Sequence, residues 1–438
     1  MRAGGCFRLI VPPRLIRMIG LPGLTAIAVN GVIGSGIFVL PATVAGLLGP
    51  ASPVAYLLAA FVAALVVACF AEAGSLFDRT GGPYLYAREA FGPFVGFQVG
   101  WAFFLSRLAA GAAIANAFAA YLGYLWPPAG GGAGRVLVIT VLLAALAAVN
   151  VAGVRYGGWT VNMLTVAKLI PLLVFIGAGL VYADPERFSL LARPDSTGLR
   201  RASLLLIFAF GGFENASVPG DESKDPKRHL PVALLAAIAL TTVLYVLIQI
   251  VALGTLPGLE SDPTPLASAA RNFLGPAGAL GIALGAVIST AGSSSALALV
   301  GPRILYALAE GGQLPAALAR VHARHCTPHV AVVVFTLLAW AAALSGDFAR
   351  LAAVSAVARL AFSAVTCLAV PMLRRKMPEA ERRFRVPGGL LVPLAAAGLS
   401  LWLLSGVDRA QAAAGAAALG VGLFLYLAFG RVRYNRQT

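Results

Sequence analysis

Two glycine-bearing runs interrupt apolar stretches that would otherwise read as continuous membrane-length helices. The first is Val32-Ile33-Gly34-Ser35-Gly36-Ile37-Phe38, and the second is Phe208-Ala209-Phe210-Gly211-Gly212-Phe213-Glu214-Asn215. Glycine inside a helix is less favourable than alanine by roughly 1 kcal/mol. Lipid cannot satisfy freed backbone groups, so an unwound stretch persists only where it is buried or lines a cavity. Such a break offers recognition of a zwitterion. The half-helix opening near Ile37 presents unpaired N–H groups and a positive dipole end, which suit a carboxylate. Gly34, Ser35 and Gly36 let the backbone approach a ligand, and Ser35 adds a hydroxyl. The half-helix ending near Ile33 presents carbonyls that suit an ammonium. Gly211 and Gly212 repeat the arrangement in the second run. Close packing of helices is the alternative use of such glycines. Breaks at matching positions of two halves favour a ligand site and point to a carrier.

Ionisable side chains inside a bilayer are costly, which makes each a functional candidate. Lys168 lies well inside the apolar run 159–182, at a depth of roughly 15 Å given a rise of ~1.5 Å per residue. That depth is mid-bilayer, level with residues 34–36 and with Glu214. Two readings stand for Lys168: a coupling residue whose protonation tracks transport, or a charged tether onto the carbonyls of the first break. For Glu214 they are a coupling or gating carboxylate, or an acceptor for freed backbone N–H groups that pairs with a buried cation. Arg107 and Arg359 are also deep and are expected to face the protein interior. Three buried cations against one carboxylate weigh against polyamines and toward neutral or acidic amino acids. Phe208, Phe210 and Phe213 flank the second break; Phe208 lies off the face shared by the other two.

These residues need an apolar frame, and the composition supplies one. The chain is 59% hydrophobic and only 11% charged, with a mean hydropathy of +0.87, whereas soluble domains are about 25% charged. Apolar runs predict an all-α polytopic membrane protein of 12 transmembrane helices, near 20–47, 53–76, 94–123, 135–152, 159–182, 202–220, 230–255, 276–308, 329–345, 349–372, 388–405 and 411–430. Lysine and arginine concentrate on the side of the N-terminus: Arg2, Arg8, Arg14 and Arg17, then Lys224, Lys227 and Arg228, then the run from Arg374 to Arg385. This bias places both termini inside. It also accounts for the net charge of +16 through anionic membrane lipid, with no nucleic-acid partner. The breaks fall in spans one and six, so five spans separate the starts of two units of opposite topology. The expected organisation is a cytoplasmic N-tail at 1–19, a first repeat at 20–182, a second at 202–372, two further helices within 388–430 and a cytoplasmic C-tail at 431–438.

Three blocks carry a family resemblance: Gly34-Ser35-Gly36-Ile37-Phe38; Thr80-Gly81-Gly82-Pro83-Tyr84-Leu85-Tyr86 with Arg88-Glu89-Ala90-Phe91-Gly92; and Phe210-Gly211-Gly212-Phe213-Glu214, continuing through Glu222-Ser223-Lys224-Asp225-Pro226-Lys227-Arg228 to Pro231. In order and spacing they resemble the amino acid–polyamine–organocation permeases. The resemblance implies a LeuT-type 5+5 inverted repeat with two additional helices in the cell membrane, acting as a secondary amino acid carrier. It also implies that Phe208 matches a substrate-capping aromatic, and that Lys168 matches a lysine standing where sodium-coupled relatives bind the ion. Sodium-independent transport, proton-coupled or exchanging, follows from that match.

The expected site is therefore Ile33, Gly34, Ser35, Gly36, Ile37, Phe208, Gly211 and Gly212 for substrate, with Lys168 and Glu214 for coupling. A polyamine or amine antiporter of the same fold is the alternative. A channel or a non-transporting membrane sensor is less favoured, because no span carries a repeated polar face. No cofactor is expected: P-loop, metalloprotease and nucleophile-elbow motifs are missing from the sequence. His322, His325 and His329 cluster without the cysteines or carboxylates of a zinc site. Glu72 is expected near the inner interface, and Ser293–Ser295 in ordinary helix–helix hydrogen bonds. The Thr80–Gly92 segment is expected to pack beneath the helices through a turn at Gly81, Gly82 and Pro83. Glu222–Pro231 is expected to be a solvated connector, and the four cysteines suggest no disulfide framework.

Overall fold

The computed structural model of the protein describes residues 20–77, 82–153, 158–189, 193–214, 226–382 and 384–430. The two terminal tails, Thr80, Gly81 and Glu222–Asp225 lie outside the described residues. Within them the chain is all-helical, without a strand: α1 (Leu21–Val32), α2 (Gly36–Leu48), α3 (Ser52–Ser75), α4 (Gly82–Phe91), α5 (Pro93–Leu125), α6 (Gly132–Ala152), α7 (Gly158–Tyr182), α8 (Ser196–Ala209), α9 (Pro226–Thr255), α10 (Pro265–Glu310), α11 (His329–Ser345), α12 (Phe348–Lys376), α13 (Leu391–Leu404) and α14 (Arg409–Phe429). Among the described residues, seven helical stretches are long and apolar enough to cross a membrane, and four further helices are shorter but apolar. The protein is a multi-pass membrane protein.

The first expected span is two helices. α1 stops at Val32, α2 starts at Gly36, and the three residues between them are not helical. α8 likewise ends at Ala209 and passes into a turn through Gly211 and Gly212. α5 is the central strut, packed between α10 and α12. α1 lies against α9 and α7, and α2 lies against α8. α13 packs on α12 and α3, whereas α14 touches α5 and is otherwise largely exposed.

Several local expectations change. The Gly82–Pro83 segment begins a helix, α4, which packs on α5 and α12; proline is tolerated in a first helical turn because its missing N–H has no intrahelical acceptor there. Pro226 to Pro231 is likewise the start of α9 rather than connector. α10 begins ahead of the expected span eight and kinks at Gly275, whose φ of 68° breaks the helix just before Pro276. Glu72, near the end of α3, is fully buried and accepts from Arg374 Nε (2.7 Å), Arg374 Nη2 (2.6 Å) and the Val386 N–H (2.7 Å). It ties α3 to α12 and to the chain leading into α13. The interior therefore holds a second carboxylate besides Glu214. Cys69 and Cys367 are buried free thiols, while Cys326 is disulfide-bonded, which its spacing did not indicate.

Candidate functional site

The two breaks touch. A Cβ built on Gly36 would lie 2.8 Å from both Cα and Cβ of Ala209, so only glycine lets α2 start this close to the end of α8. Gly212 has φ +109°, in the region that favours glycine, and a Cβ there would collide with the Gly31 carbonyl. The glycines thus serve close packing as well as exposing backbone, and the two uses are one arrangement. Tyr245 of α9 fastens it: its hydroxyl donates to the carbonyl of Val32 at 3.0 Å and contacts that of Ala209 at 3.3 Å. These are the last residues of α1 and α8, where helix carbonyls lack intrahelical donors. Sequence reasoning missed Tyr245, because a tyrosine in an apolar run carries no local signal of the carbonyls it will meet.

Lys168 supports the first break from the other side. Its ammonium donates to the carbonyls of Ile33 (2.8 Å) and Asn30 (3.2 Å). Ser289 Oγ lies 3.5 Å from the same Ile33 carbonyl. α2 is held separately: the Tyr121 hydroxyl donates to the Phe38 carbonyl at 2.6 Å, and Gln249 Nε2 lies 3.4 Å from the Pro41 carbonyl.

A cavity of about 180 Å³ opens where the breaks meet. Gly34, Ser35, Gly36, Phe208, Gly211 and Gly212 line it, together with Asn30, Arg107, Ser293 and Arg359. Ile33 and Ile37 are fully buried beside it and are not among the lining residues. Ile33 contributes its carbonyl to Lys168 instead. Neither Lys168 nor Glu214 is in the wall. Phe208 faces the cavity and meets the Phe348 ring edge-on, with centroids 5.6 Å apart. Phe210 packs against Tyr245 and Phe213 against Phe70, which separates the three aromatics by role.

Glu214 lies behind the second break, at 3% exposure. Its Oε2 accepts the Gly212 N–H at 2.9 Å, and its Oε1 pairs with Arg359 Nη1 and lies 3.7 Å from Arg107 Nη2. Paired hydroxyls set the register of the arginine-bearing helices: Ser106 Oγ donates to the Ser355 carbonyl (3.0 Å) and Ser355 Oγ to the Ser106 carbonyl (2.9 Å). Arg359 fills the space beside Gly211 that a side chain would take. Depth marks both arginines in the sequence, but not as cavity residues, because helix phase alone does not fix which neighbour a buried face meets.

Several polar atoms of the wall have no hydrogen-bond partner among the described residues: Asn30 Oδ1, Ser35 Oγ, Arg107 Nε and Nη2, and Arg359 Nε. Buried polar groups ordinarily have partners. These five atoms belong to residues of one small cavity, while the other buried polar atoms without a partner among the described residues are spread through the protein.

Comparison with known proteins identifies the family. Residues 19–425 match the family model described as amino acid permease. The chain is 29% identical over 433 residues to the methylthioribose transporter of Bacillus subtilis, covering 95% of this chain and 94% of that one. It is 26% identical to the branched-chain amino acid permease BcaP of the same organism, with 95% and 94% covered. It is 30% identical to the serine/threonine exchanger SteT of Bacillus subtilis, with 89% and 91% covered. With the family model spanning nearly its whole length and relatives aligned end to end, this chain belongs to the amino acid permease family.

Proposed function

We propose that the protein is a secondary carrier that moves an amino acid across the cell membrane by alternating access, holding it in the cavity between the two breaks. The observation that carries this reading is the cavity itself, which is lined by residues of both helix breaks together with residues of α5, α10 and α12. The substrate carboxylate sits on the first-turn N–H groups of α2 at Gly36 and Ile37, beside the Ser35 hydroxyl. The ammonium group faces the carbonyl ends of α1 and α8. Phe208 covers the bound molecule from the side of Phe348. Twelve spans in a 5+5 inverted repeat with two added helices, with both termini cytoplasmic, provide two units that rock about this site.

Coupling is sodium-independent, by proton or by exchange for a counter-substrate. The Lys168 ammonium occupies the space behind the first break and holds the carbonyls of Asn30 and Ile33. An ion-binding role for those carbonyls competes with that contact. Amino acid relatives that include a permease and an exchanger favour this substrate class over polyamines, as do the two guanidinium groups in the wall.

Counterflow in proteoliposomes tests the proposal. Vesicles preloaded with unlabelled amino acids should accumulate labelled amino acid transiently and saturably with sodium replaced by choline. A lack of counterflow with every amino acid, or an absolute sodium requirement, overturns it.

A further inference from the structure

We infer that Arg107 and Arg359 form a second anion subsite in the central cavity, so that the substrate is an acidic amino acid whose side-chain carboxylate sits on the guanidinium pair. This deepens the carrier reading and rests on it.

Both arginines line the cavity and are almost wholly buried, at 1% and 4% exposure. Nε of each, and Nη2 of Arg107, lack a hydrogen-bond acceptor among the described residues. The face of the Phe103 ring, 5.1 Å from the Arg107 guanidinium, provides apolar packing and a weak electrostatic contact, but no acceptor. Glu214 is shared between the two cations, and its second oxygen is engaged by the Gly212 N–H. Among the described residues, two positive groups stand against one negative, which gives the wall a net positive charge in a low-dielectric setting. A buried unpaired charge is strongly unfavourable, and a ligand carboxylate offsets it. The substrate's α-carboxylate does not meet this demand, because the α2 N-terminus takes it. A second carboxylate does.

The neighbouring cavity has the same sign. A space of about 470 Å³ lies on the other side of the Phe208–Phe348 ring pair, lined by Arg135 and Arg350. Its lining carboxylate, Asp347, accepts the Arg350 backbone N–H as a helix cap. Both spaces therefore present guanidinium groups in excess of carboxylates, which draws anions inward.

Isosteric acid and amide pairs provide the test: glutamate against glutamine, and aspartate against asparagine, as competitors in counterflow. Wild type should take the acids about tenfold better or more, the range expected for a charge-assisted contact replaced by a neutral one. Arg107→Gln should bring the acid-over-amide ratio toward one, and Arg107→Lys should retain part of it. Equal competition by acids and amides in wild type overturns the subsite while leaving the carrier reading intact. So does an Arg107→Gln variant that weakens acids and amides equally, because the guanidinium then serves the shared α-carboxylate. If that variant fails to fold, the wild-type comparison decides alone. Absence of counterflow with any amino acid defeats the carrier reading and the subsite with it.

Discussion

Lys168 and Phe208 are the residues whose roles separate most cleanly by measurement. Lys168 donates to two main-chain carbonyls at the end of α1, and only its protonated form has donors for both together with a charge. If its protonation is linked to release of the break, an inward proton gradient should drive accumulation in wild type at any sodium concentration. Lys168→Ala should abolish that accumulation while leaving some exchange. A purely tethering lysine gives a different result: the variant melts at lower temperature, and the pH profile of its residual exchange matches wild type. For Phe208, alanine removes a cavity wall and a ring pair worth ~0.5–1.5 kcal/mol beyond its buried area. Phe208→Ala should weaken transport about tenfold and widen the range of side chains accepted. Phe213→Leu, which alters the packing against Phe70, should do much less. Competition constants across a side-chain series distinguish the two variants.

At the scale of elements, the breaks were legible and their fastening was not. Gly34, Gly36, Gly211 and Gly212 stand out because glycine pairs in an apolar run conflict with helix continuity. Tyr245, Tyr121 and Gln249 do not stand out, since each sits in an unbroken helix and acts on carbonyls far away in sequence. The arginine pair fell between these cases: its depth was readable, but its convergence on Glu214 depends on how α5, α8 and α12 meet. Gly36→Val should abolish transport while membrane insertion stays normal, because the added methyls press into Ala209 and force the two breaks apart. Near-normal substrate affinity in that variant would contradict the site. Tyr245→Phe removes the hydroxyl donor from the buried Ala209 carbonyl, while the Val32 carbonyl keeps the Gly34 N–H, and should lower stability by about 1–3 kcal/mol. A fall in melting temperature with expression retained checks this.

For the molecule as a whole, hydropathy locates most of the helices, because a run of about 20 apolar residues is hard to bury anywhere but in a bilayer. It could not foresee α4 or the early start of α10. Both are helices outside the long apolar runs, and one is set off by the Gly275 kink. Arrangement around the site was less accessible still. α5 as the central strut, and α14 as a nearly unburied edge, follow from packing partners rather than from any helix's own sequence. Removal of α14 should consequently cost little transport activity per folded molecule, which truncation before Arg409 followed by counterflow would measure.

A cavity bordered by glycines of both breaks changes how the proposed site must be interrogated. At Gly34, Gly36, Gly211 and Gly212, which line the cavity, there is no side chain to truncate, so an alanine scan reports only the damage done by added bulk. Loss-of-contact information has to come from the amide groups themselves. Replacing the Gly36 or Ile37 peptide N–H with an ester oxygen deletes one donor at unchanged shape, and the affinity lost is a direct measure of what that donor contributes. The same property bears on how such a site diversifies. Under the proposed function, carboxylate and ammonium recognition is insulated from most substitutions, and substrate choice is left to the side chains that line the cavity: Ser35, Arg107, Phe208, Ser293 and Arg359 among them.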